Sequence, residues 1–324
     1  MGEFFRTRIT IPGTGLSVSP LCLGAPDFGT KLKGAPLDTL FDSFIAGGGN
    51  FFDTAHCYAV WRDEPDALGA SERTLGQLVR SRNLESHVVI ATKGGHPAML
   101  PKYPRADRFL APEVLVSDAR DSLGRLKMEK LDLFLLHRDD PRVPAGEIVD
   151  ALAELVASGL IRHAGASNWT ANRIAAANDY ARRHGLPPFV ISSPSWNLAK
   201  RNEGAFFDPT MRELTAEDEA WHRESLLPVM CYNGSAGGWF ASAGNHGACD
   251  NPVSRARRAR CDELGRTLNA TATQIALAWL SSHPFPVFPI VGTSQPSHLE
   301  EALAAAQIRL TPEQARWLRD GPLV

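Results

Sequence analysis

The sequence lacks the features of membrane proteins and of nucleic-acid-binding proteins. No apolar stretch in its 324 residues approaches the roughly 18 uncharged residues that a membrane-spanning helix needs. The formal net charge is only −2, so no excess of positive charge favours nucleic acid or an acidic membrane surface. No apolar segment follows the charged residues at the start of the chain, which argues against a signal peptide. We therefore expect no membrane and no nucleic acid among the partners.

Cysteine is scarce and its spacing is not that of a disulfide-rich protein. The chain has 5 cysteines, an odd number, and no C-x-x-C pair. Small secreted proteins that depend on disulfides carry an even number of cysteines at a much higher density. We therefore expect free thiols and a cytoplasmic protein.

The motifs of several common enzyme classes are also missing. Gly13-Thr14-Gly15 precedes the first predicted buried strand and lacks a third glycine, so the fingerprint of a doubly wound dinucleotide-binding domain is absent. No two of the 10 histidines lie two positions apart and no H-E-x-x-H occurs, which argues against a metal-dependent barrel hydrolase. Gly234-Ser235-Ala236-Gly237 does not match the G-x-S-x-G of a serine hydrolase. We expect no metal.

The sequence does contain a regular alternation of short apolar runs and helical patterns. Thr7, Ile9 and Ile11 alternate before a Pro-Gly turn, and this pattern predicts an N-terminal β-hairpin. Eight apolar runs then predict buried strands: Leu21–Gly24, Asn50–Thr54, His87–Thr92, Leu131–Leu136, Ile161–Ala166, Phe189–Ser193, Leu227–Tyr232 and Val287–Val291. Apolar residues at helical spacing predict ten helices: Leu37–Ala46, Ser71–Arg80, Pro112–Leu126, Glu147–Ser158, Thr170–His184, Thr215–Ser225, Val253–Leu268, Thr273–Ser281, Pro296–Ala306 and Thr311–Asp320.

This alternation predicts an α/β fold with a parallel sheet. The length alone allows either two domains or one barrel. Eight strand–helix units without a linker between them favour a (β/α)8 TIM barrel, with the N-terminal hairpin and an extra C-terminal helix, as a single domain over residues 1–324. Functional residues of such barrels lie at the carboxyl ends of the strands.

Acid–base side chains follow three successive predicted strands. Asp53 and Tyr58 come after the second strand, Lys93 after the third and His137 after the fourth. An unpaired charge at such a position is costly, so we expect Asp53 to pair with Lys93. A buried ammonium lowers the pKa of a nearby tyrosine from about 10, which would make Tyr58 a general acid or base. His137 could orient a carbonyl oxygen, and the hydride for its carbon must come from a cofactor.

Each of these four residues also has an ordinary structural explanation when it is taken alone. Asp53 could cap a turn, Lys93 could be a solvated loop residue, Tyr58 a loop aromatic and His137 a histidine satisfied at the end of a strand. Their joint occurrence at three successive strand ends favours the chemical interpretation.

Several segments resemble the aldo-keto reductases, which are NAD(P)H-dependent carbonyl reductases on a TIM barrel, and bacterial members in particular. The resemblance extends from about Ser17 to Leu318. The matching segments are Gly49–Ala55 with Tyr58, Gly69–Glu72, Ala91–Lys93, Leu131–Leu133 through His137, Gly165–Asn168, Ile290–Ser294 and Leu299–Ala302. Together they are highly specific, although none of them is specific alone.

The resemblance implies a role for each matching residue. It implies that Tyr58 donates the proton, that Asp53 and Lys93 tune it and that His137 orients the substrate. It also implies a set of contacts to the cofactor. Ser167 and Asn168 would hold the nicotinamide carboxamide, Tyr232 would stack on the nicotinamide ring, and the remaining contacts would come from Gly24, Ala25, Asp53, Ser193, Asn233, Ser235, Gly292, Thr293, Ser294, His298 and Glu301.

Some positions depart from the family pattern. Ser193 stands where a glutamine usually helps to hold the carboxamide. Gly292 and His298 stand where NADP-preferring members often carry lysine or arginine, so the clamp on the 2′-phosphate is weak. The resemblance therefore favours NADP(H) slightly and leaves NAD(H) possible.

The loops that follow the strands suggest a polar substrate. Trp61, His96, Trp169 and Trp196 lie among charged residues, which favours a sugar-like or polyol-derived carbonyl over a steroid, although these could also be solvated loops. The expected partner is thus a small carbonyl or alcohol, bound by a monomer or a small homo-oligomer. The same four acid–base residues would also occur in a regulatory subunit that binds a nicotinamide cofactor and senses redox state with little turnover.

Overall fold

The structure, a computed structural model, describes residues 8–99, 102–206, 208–241 and 247–322. Its first element is the predicted hairpin, in which β1 (Ile9–Thr10) pairs antiparallel with β2 (Ser17–Val18). Gly13 and Gly15 have φ values of 75° and 72°, in the left-handed region that glycine adopts without strain. Thr7, which we also assigned to this hairpin, lies outside the described residues.

Seven further strands form one parallel sheet. Along the sheet their order is β8-β7-β6-β5-β4-β3-β9, so chain neighbours from β3 to β8 are also neighbours in space. The strands are β3 (Cys22–Gly24), β4 (Phe51–Asp53), β5 (Val89–Gly94), β6 (Leu131–Leu136), β7 (Ile161–Ser167), β8 (Phe189–Ser193) and β9 (Ile290–Val291). The alternation of strands and helices therefore predicts the parallel sheet correctly.

The segment predicted as the strand Leu227–Tyr232 is not a regular strand. It lies between the two edges of the sheet, because Val229 forms parallel bridges with both Ser192 and Val287. The amide of Cys231 also donates to the carbonyl of Phe288 at 3.1 Å. Prolines interrupt both segments, at Pro228 in this one and at 286 and 289 before β9, and proline cannot donate a hydrogen bond to a ladder. This accounts for the irregular seventh segment and for a β9 shorter than predicted.

Ten α-helices occur in the described part of the chain, close to the predicted positions. They are α1 (Ala35–Ala46), α2 (Ala70–Ser81), α3 (Pro112–Leu126), α4 (Ala145–Ala157), α5 (Ala171–His184), α6 (Ala216–Ser225), α7 (Pro252–Leu268), α8 (Ala272–Leu280), α9 (Pro296–Ala305) and α10 (Pro312–Asp320). Three of these helices begin with a capping threonine, at Thr215, Thr271 and Thr311. In each, the threonine hydroxyl accepts the amide of the third helical residue, and the side chain of that residue accepts the threonine amide. None of the described helices is long and apolar enough to cross a membrane.

The hydrophobic core has two layers, one on each face of the sheet. Phe51 belongs to the inner layer, where Ile11 and Val18 of the hairpin also pack. Phe52 points the other way and stacks on Phe41 of α1, with ring centroids 5.2 Å apart. The hairpin thus covers the amino ends of the strands, and the carboxyl ends are left for the site. The outer layer includes residues from 21 to 318.

Candidate active site

A cavity of about 580 Å³ lies at the carboxyl ends of the strands. Asp53 ends β4, Lys93 lies near the end of β5 and His137 directly follows β6. Tyr58 reaches the cavity from the loop after β4. All four predicted acid–base residues line this cavity, because parallel strands direct their carboxyl ends to the same side of the sheet.

The ammonium of Lys93 is bonded to two of the other three acid–base residues, Asp53 and Tyr58. Its Nζ lies 2.5 Å from Oδ1 of Asp53, and the two side chains are each only 3% exposed. The same Nζ donates to the carbonyl of Thr54 at 2.8 Å and to the hydroxyl of Tyr58 at 3.0 Å. Since an ammonium has three hydrogens, Lys93 is fully hydrogen-bonded. Burial alone would lower the pKa of Lys93, but the attraction of Asp53 and Tyr58 outweighs it and raises that pKa, so Lys93 is cationic.

The pKa of Tyr58 moves in the direction opposite to our prediction. We expected Lys93 to lower it, but burial and the charge of Asp53 raise it well above the usual value, and Lys93 only partly opposes them. The hydroxyl of Tyr58 donates to Oδ2 of Asp53 at 3.3 Å, a long contact for an O–H donor. Tyr58 is therefore protonated at neutral pH and suited to donate a proton.

His137 lies beside Tyr58 and is kept neutral. Its ring centroid is 5.8 Å from that of Tyr58, and its Nδ1 is 3.4 Å from Sγ of Cys57. Burial lowers the pKa of His137 well below its ordinary value, and the charge of Arg138 lowers it further. The same two causes lower the pKa of His96, another residue of the cavity wall, to about 4.

Ser167 and Asn168 form the next part of the wall, together with Tyr232. The amide nitrogen of Asn168 donates to the carbonyl of His137 at 3.1 Å and to Oγ of Ser167 at 3.0 Å. Its amide oxygen accepts from the hydroxyl of Tyr232 at 2.7 Å. Any ligand that binds the Asn168 side chain must therefore replace some of these contacts. The backbone carbonyl of Ser193 accepts a hydrogen bond from the hydroxyl of Ser167. The side-chain Oγ of Ser193 is buried and has no hydrogen-bond partner among the described residues.

A second cavity, of about 320 Å³, lies next to the first along the end of β9. Five of the predicted cofactor-binding residues line it: Gly24, Gly292, Thr293, Ser294 and His298. A Cβ added to Gly292 would meet nothing within 4 Å, so this position opens onto free space. The cation Lys31 also lines this cavity, at a position that the sequence did not single out.

Several predicted residues do not line either of these cavities. Trp169 is buried in the outer core, edge-on to Phe189, with the guanidinium of Arg173 over its ring. Trp196 packs against Trp279 at the wall of a separate pocket. Trp169 and Trp196, which we expected to contact the substrate, therefore lie outside the walls of both cavities.

Five of the predicted cofactor contacts also line neither cavity: Ala25, Ser193, Asn233, Ser235 and Glu301. Glu301 accepts a hydrogen bond from Thr271 at the start of α8 and lines a shallow cavity beside it. Asn233 is 3.5 Å from Oγ of Ser195, and Ser235 precedes a short 3₁₀ turn. Ala25 is fully buried, and its amide bonds the carbonyl of Asp53.

Two wall residues beside the acid–base group, Cys57 and Arg138, have no role predicted from the sequence. Cys57 precedes Tyr58 in the chain and contacts His137. Arg138 follows His137 directly, and its buried guanidinium pairs with Asp208 at 3.0 Å. A charged residue directly after an apolar strand was the available signal for Arg138. For Cys57 the only signal was its place beside Tyr58.

The loop that carries Tyr58 is fixed to α2 and α3 by buried polar contacts. Glu72 is completely buried and accepts from Thr92 at 2.6 Å and from Arg125 at 3.0 Å. Arg125 also donates to the carbonyl of His56 at 2.9 Å. These bonds hold the backbone two residues before Tyr58, which explains why the Gly69–Glu72 segment accompanies the site.

Comparison with known proteins gives a consistent result over nearly the whole chain. The aryl-alcohol dehydrogenase (NADP+) of Phanerodontia chrysosporium is 30% identical, over 97% of this chain and 85% of that protein. Norsolorinic acid reductase B of Aspergillus parasiticus is 31% identical, over 95% of this chain and 82% of that protein. These relatives are fungal, so the comparisons do not support the expected likeness to bacterial members. The sequence model of the Aldo/keto reductase family matches residues 20–320, and the chain therefore belongs to that family.

Proposed function

We propose that this protein reduces a carbonyl group to an alcohol with NADPH, and that Tyr58 donates the proton to the carbonyl oxygen. The observation that supports this most directly is the position of the Tyr58 hydroxyl. It lies in the wall of the main cavity, 3.0 Å from the ammonium of Lys93. The Phanerodontia relative is named as an NADP-dependent dehydrogenase, which agrees with an oxidoreductase of this kind.

NADPH supplies the hydride for the carbonyl carbon when it is bound. Tyr58 exchanges its long bond to Asp53 for a bond to the carbonyl oxygen and transfers its proton there. The phenolate that remains lies next to Lys93, whose positive charge stabilises it. Neutral His137 orients the carbonyl oxygen through a ring N–H. One hydride and one proton convert the carbonyl to the alcohol.

Residues of both cavities would hold the cofactor. Asn168 and Tyr232 would contact the nicotinamide end after exchanging their mutual bond. Gly292 leaves room for the other end in the second cavity, where Lys31 and His298 supply nitrogen donors. We favour NADP(H), with NAD(H) as the alternative, because a lysine there compensates for the absent family clamp.

We propose an aryl carbonyl as the substrate class, instead of the sugar-like carbonyl expected from the loops. Two of the tryptophans on which that expectation depended do not line the cavity. The cavity wall also includes three large apolar side chains, those of Trp61, Met99 and Met211. The Phanerodontia relative is also named for aryl alcohols, which are the products of aryl carbonyl reduction.

We also propose that the sheet closes as an eight-stranded barrel. The bridges of Val229 to both edges of the sheet support this closure.

The decisive test is NADPH consumption with benzaldehydes, aryl ketones and keto-sugars. The turnover rate of Tyr58→Phe should be lower than that of the wild type by a factor of roughly 10² to 10⁴, the usual contribution of a general acid. Tyr180→Phe is the matched control, since Tyr180 is bonded to Asp150 on the surface, and it should be unchanged. A wild type no faster than Tyr58→Phe, with both proteins binding NADPH by tryptophan quenching, would support the regulatory role. Faster turnover of keto-sugars than of benzaldehydes would overturn the substrate class.

A further inference from the structure

Three side chains that commonly bind transition metals meet in the wall of the main cavity. Cys57, His96 and His137 follow three different strands, and one ligand atom of each lies within 4.8 Å of the others. All three are buried, and all three line the cavity. No other group of three histidine, cysteine or acidic side chains is this compact within residues 8–99, 102–206, 208–241 and 247–322.

The orientation of His96 leaves one ring nitrogen free. Its Nδ1 lies 2.8 Å from the carbonyl of Pro97, so Nδ1 carries the hydrogen and donates it. Its Nε2 then holds a lone pair and is buried without a hydrogen-bond partner in the described structure. A buried nitrogen without a partner costs free energy. Histidines that bind metals typically donate the opposite ring N–H to a backbone carbonyl in the same way.

Cys57 and His137 already have the separation of two zinc ligands. Their Sγ and Nδ1 atoms are 3.4 Å apart. Zinc–sulfur and zinc–nitrogen bonds of about 2.3 and 2.05 Å at a tetrahedral angle place the two ligand atoms about 3.6 Å apart. The widest pair in the cluster must approach by about 1 Å to reach the same geometry. Rotation of the His96 side chain into the cavity can supply such a movement.

A hydrogen bond between thiol and imidazole explains only part of this arrangement. It satisfies Cys57 and His137 but leaves Nε2 of His96 without a partner. A cation accounts for all three side chains, and the open side of the cluster faces the cavity, where a fourth ligand can come from solvent.

We propose that Cys57, His96 and His137 form a binding site for zinc or a similar divalent transition metal, and that the bound metal reversibly inhibits the enzyme. Binding replaces the thiol proton by the metal and releases that proton to solvent. The inhibition rests on the proposed function, because a metal at this position occupies the space beside Tyr58 in which the carbonyl group must lie. The binding itself does not depend on that function.

Binding is tested first, without any substrate. Cobalt(II) is added to the metal-free full-length protein, and the near-ultraviolet absorption band of a thiolate–cobalt bond is measured. The wild type should give this band, and zinc should displace the cobalt and abolish it. Cys57→Ser should lose the band, and Cys261→Ser, which removes a buried thiol of α7 outside the cavity, should keep it. Absence of the band in the wild type, or its persistence in Cys57→Ser, overturns the proposal.

Inhibition is tested with NADPH and an aryl aldehyde at increasing zinc concentrations, and each variant is compared with its own zinc-free rate. The concentration for half inhibition should rise at least about tenfold in Cys57→Ser and in His96→Gln, the loss expected when a metal site is disrupted. It should not change in Cys261→Ser, and EDTA should restore the wild-type rate. Equal inhibition of all variants refutes the inhibitory role. A cobalt band in a protein that reduces no carbonyl would instead refute the proposed function and leave the metal site intact.

Discussion

The ion pair of Lys93 and Asp53 should contribute both to the free energy of unfolding and to turnover, and replacing Lys93 by methionine is the first step in separating the two contributions. The substitution leaves the carboxylate of Asp53 buried, with a single long contact from Tyr58. Removing one partner of a buried ion pair typically costs about 3–5 kcal/mol, a large part of the roughly 5–15 kcal/mol by which a domain is stable. Lys102→Met is the matched control. Lys102 lies 2.6 Å from Asp63, almost the same separation, but on the surface, so its loss should leave the free energy of unfolding unchanged.

The double variant Asp53→Asn/Lys93→Met tests the reason for this cost. It removes both charges, so it should recover at least about 2 kcal/mol of the stability lost in Lys93→Met. Stability is measured by urea unfolding with tryptophan fluorescence, and activity by NADPH consumption. Turnover should not recover, because the phenolate of Tyr58 has still lost the ammonium beside it. Should Lys93→Met fail to fold, a folded double variant would carry the same information. A double variant less stable than Lys93→Met would refute the assignment of the cost to an unpaired charge.

Three other outcomes follow from the same geometry. Because the pKa of Tyr58 is raised above its usual value near 10, carbonyl reduction should show no alkaline loss below about pH 10. Alcohol oxidation needs the phenolate and should accelerate as the pH rises. Initial rates of both reactions measured against pH test this. Gly69→Ala should destabilise the protein by about 1–3 kcal/mol, because φ is 75° and the new Cβ would lie 2.5 Å from Nε of Arg125. Gly124→Ala, whose Cβ meets no atom within 4 Å, should not destabilise it, and thermal unfolding compares the two variants. Trp61→Ala should raise KM for aryl aldehydes, because Trp61 lines the cavity and is 41% exposed, whereas Trp169→Ala should lower stability without a selective change in KM.

Much of the fold follows from local sequence patterns. The strand Leu131–Leu136 is an apolar run that is buried on both faces in a parallel sheet, and its predicted bounds are those of β6. Thr170 predicts the start of α5 because its hydroxyl accepts the amide of Arg173, a contact that is local in the chain. The irregularity of the segment Leu227–Tyr232 was harder to predict. It depends on Pro228 and also on the prolines at 286 and 289 in the segment beside it.

The position of a residue along a strand is easier to predict than the direction of its side chain. Asn168 and Trp169 are adjacent in the chain after β7, yet one lines the cavity and the other packs in the outer core. Asn168 has a φ of 62°, in the left-handed region, so the chain turns there, and a turn that the sequence does not reveal leads to an error in the direction assigned to the next side chain. Polar residues at strand ends suffer less from this error, because an apolar core would exclude them. Aromatic residues fit either environment, which is why Trp169 and Trp196 were misassigned.

The pKa of Tyr58 depends on a quantity that the sequence does not contain. The order of residues identifies Lys93 and Asp53 as neighbours of opposite charge, and their influences on a phenol partly cancel. What then decides the direction is the desolvation of the phenolate, which depends on how completely the surrounding loops exclude water. Here burial outweighs the opposing influence of Lys93 and raises the pKa of Tyr58. Catalysis consequently requires that the ammonium of Lys93 stabilise the phenolate as it forms during proton transfer, since it does not maintain a phenolate beforehand.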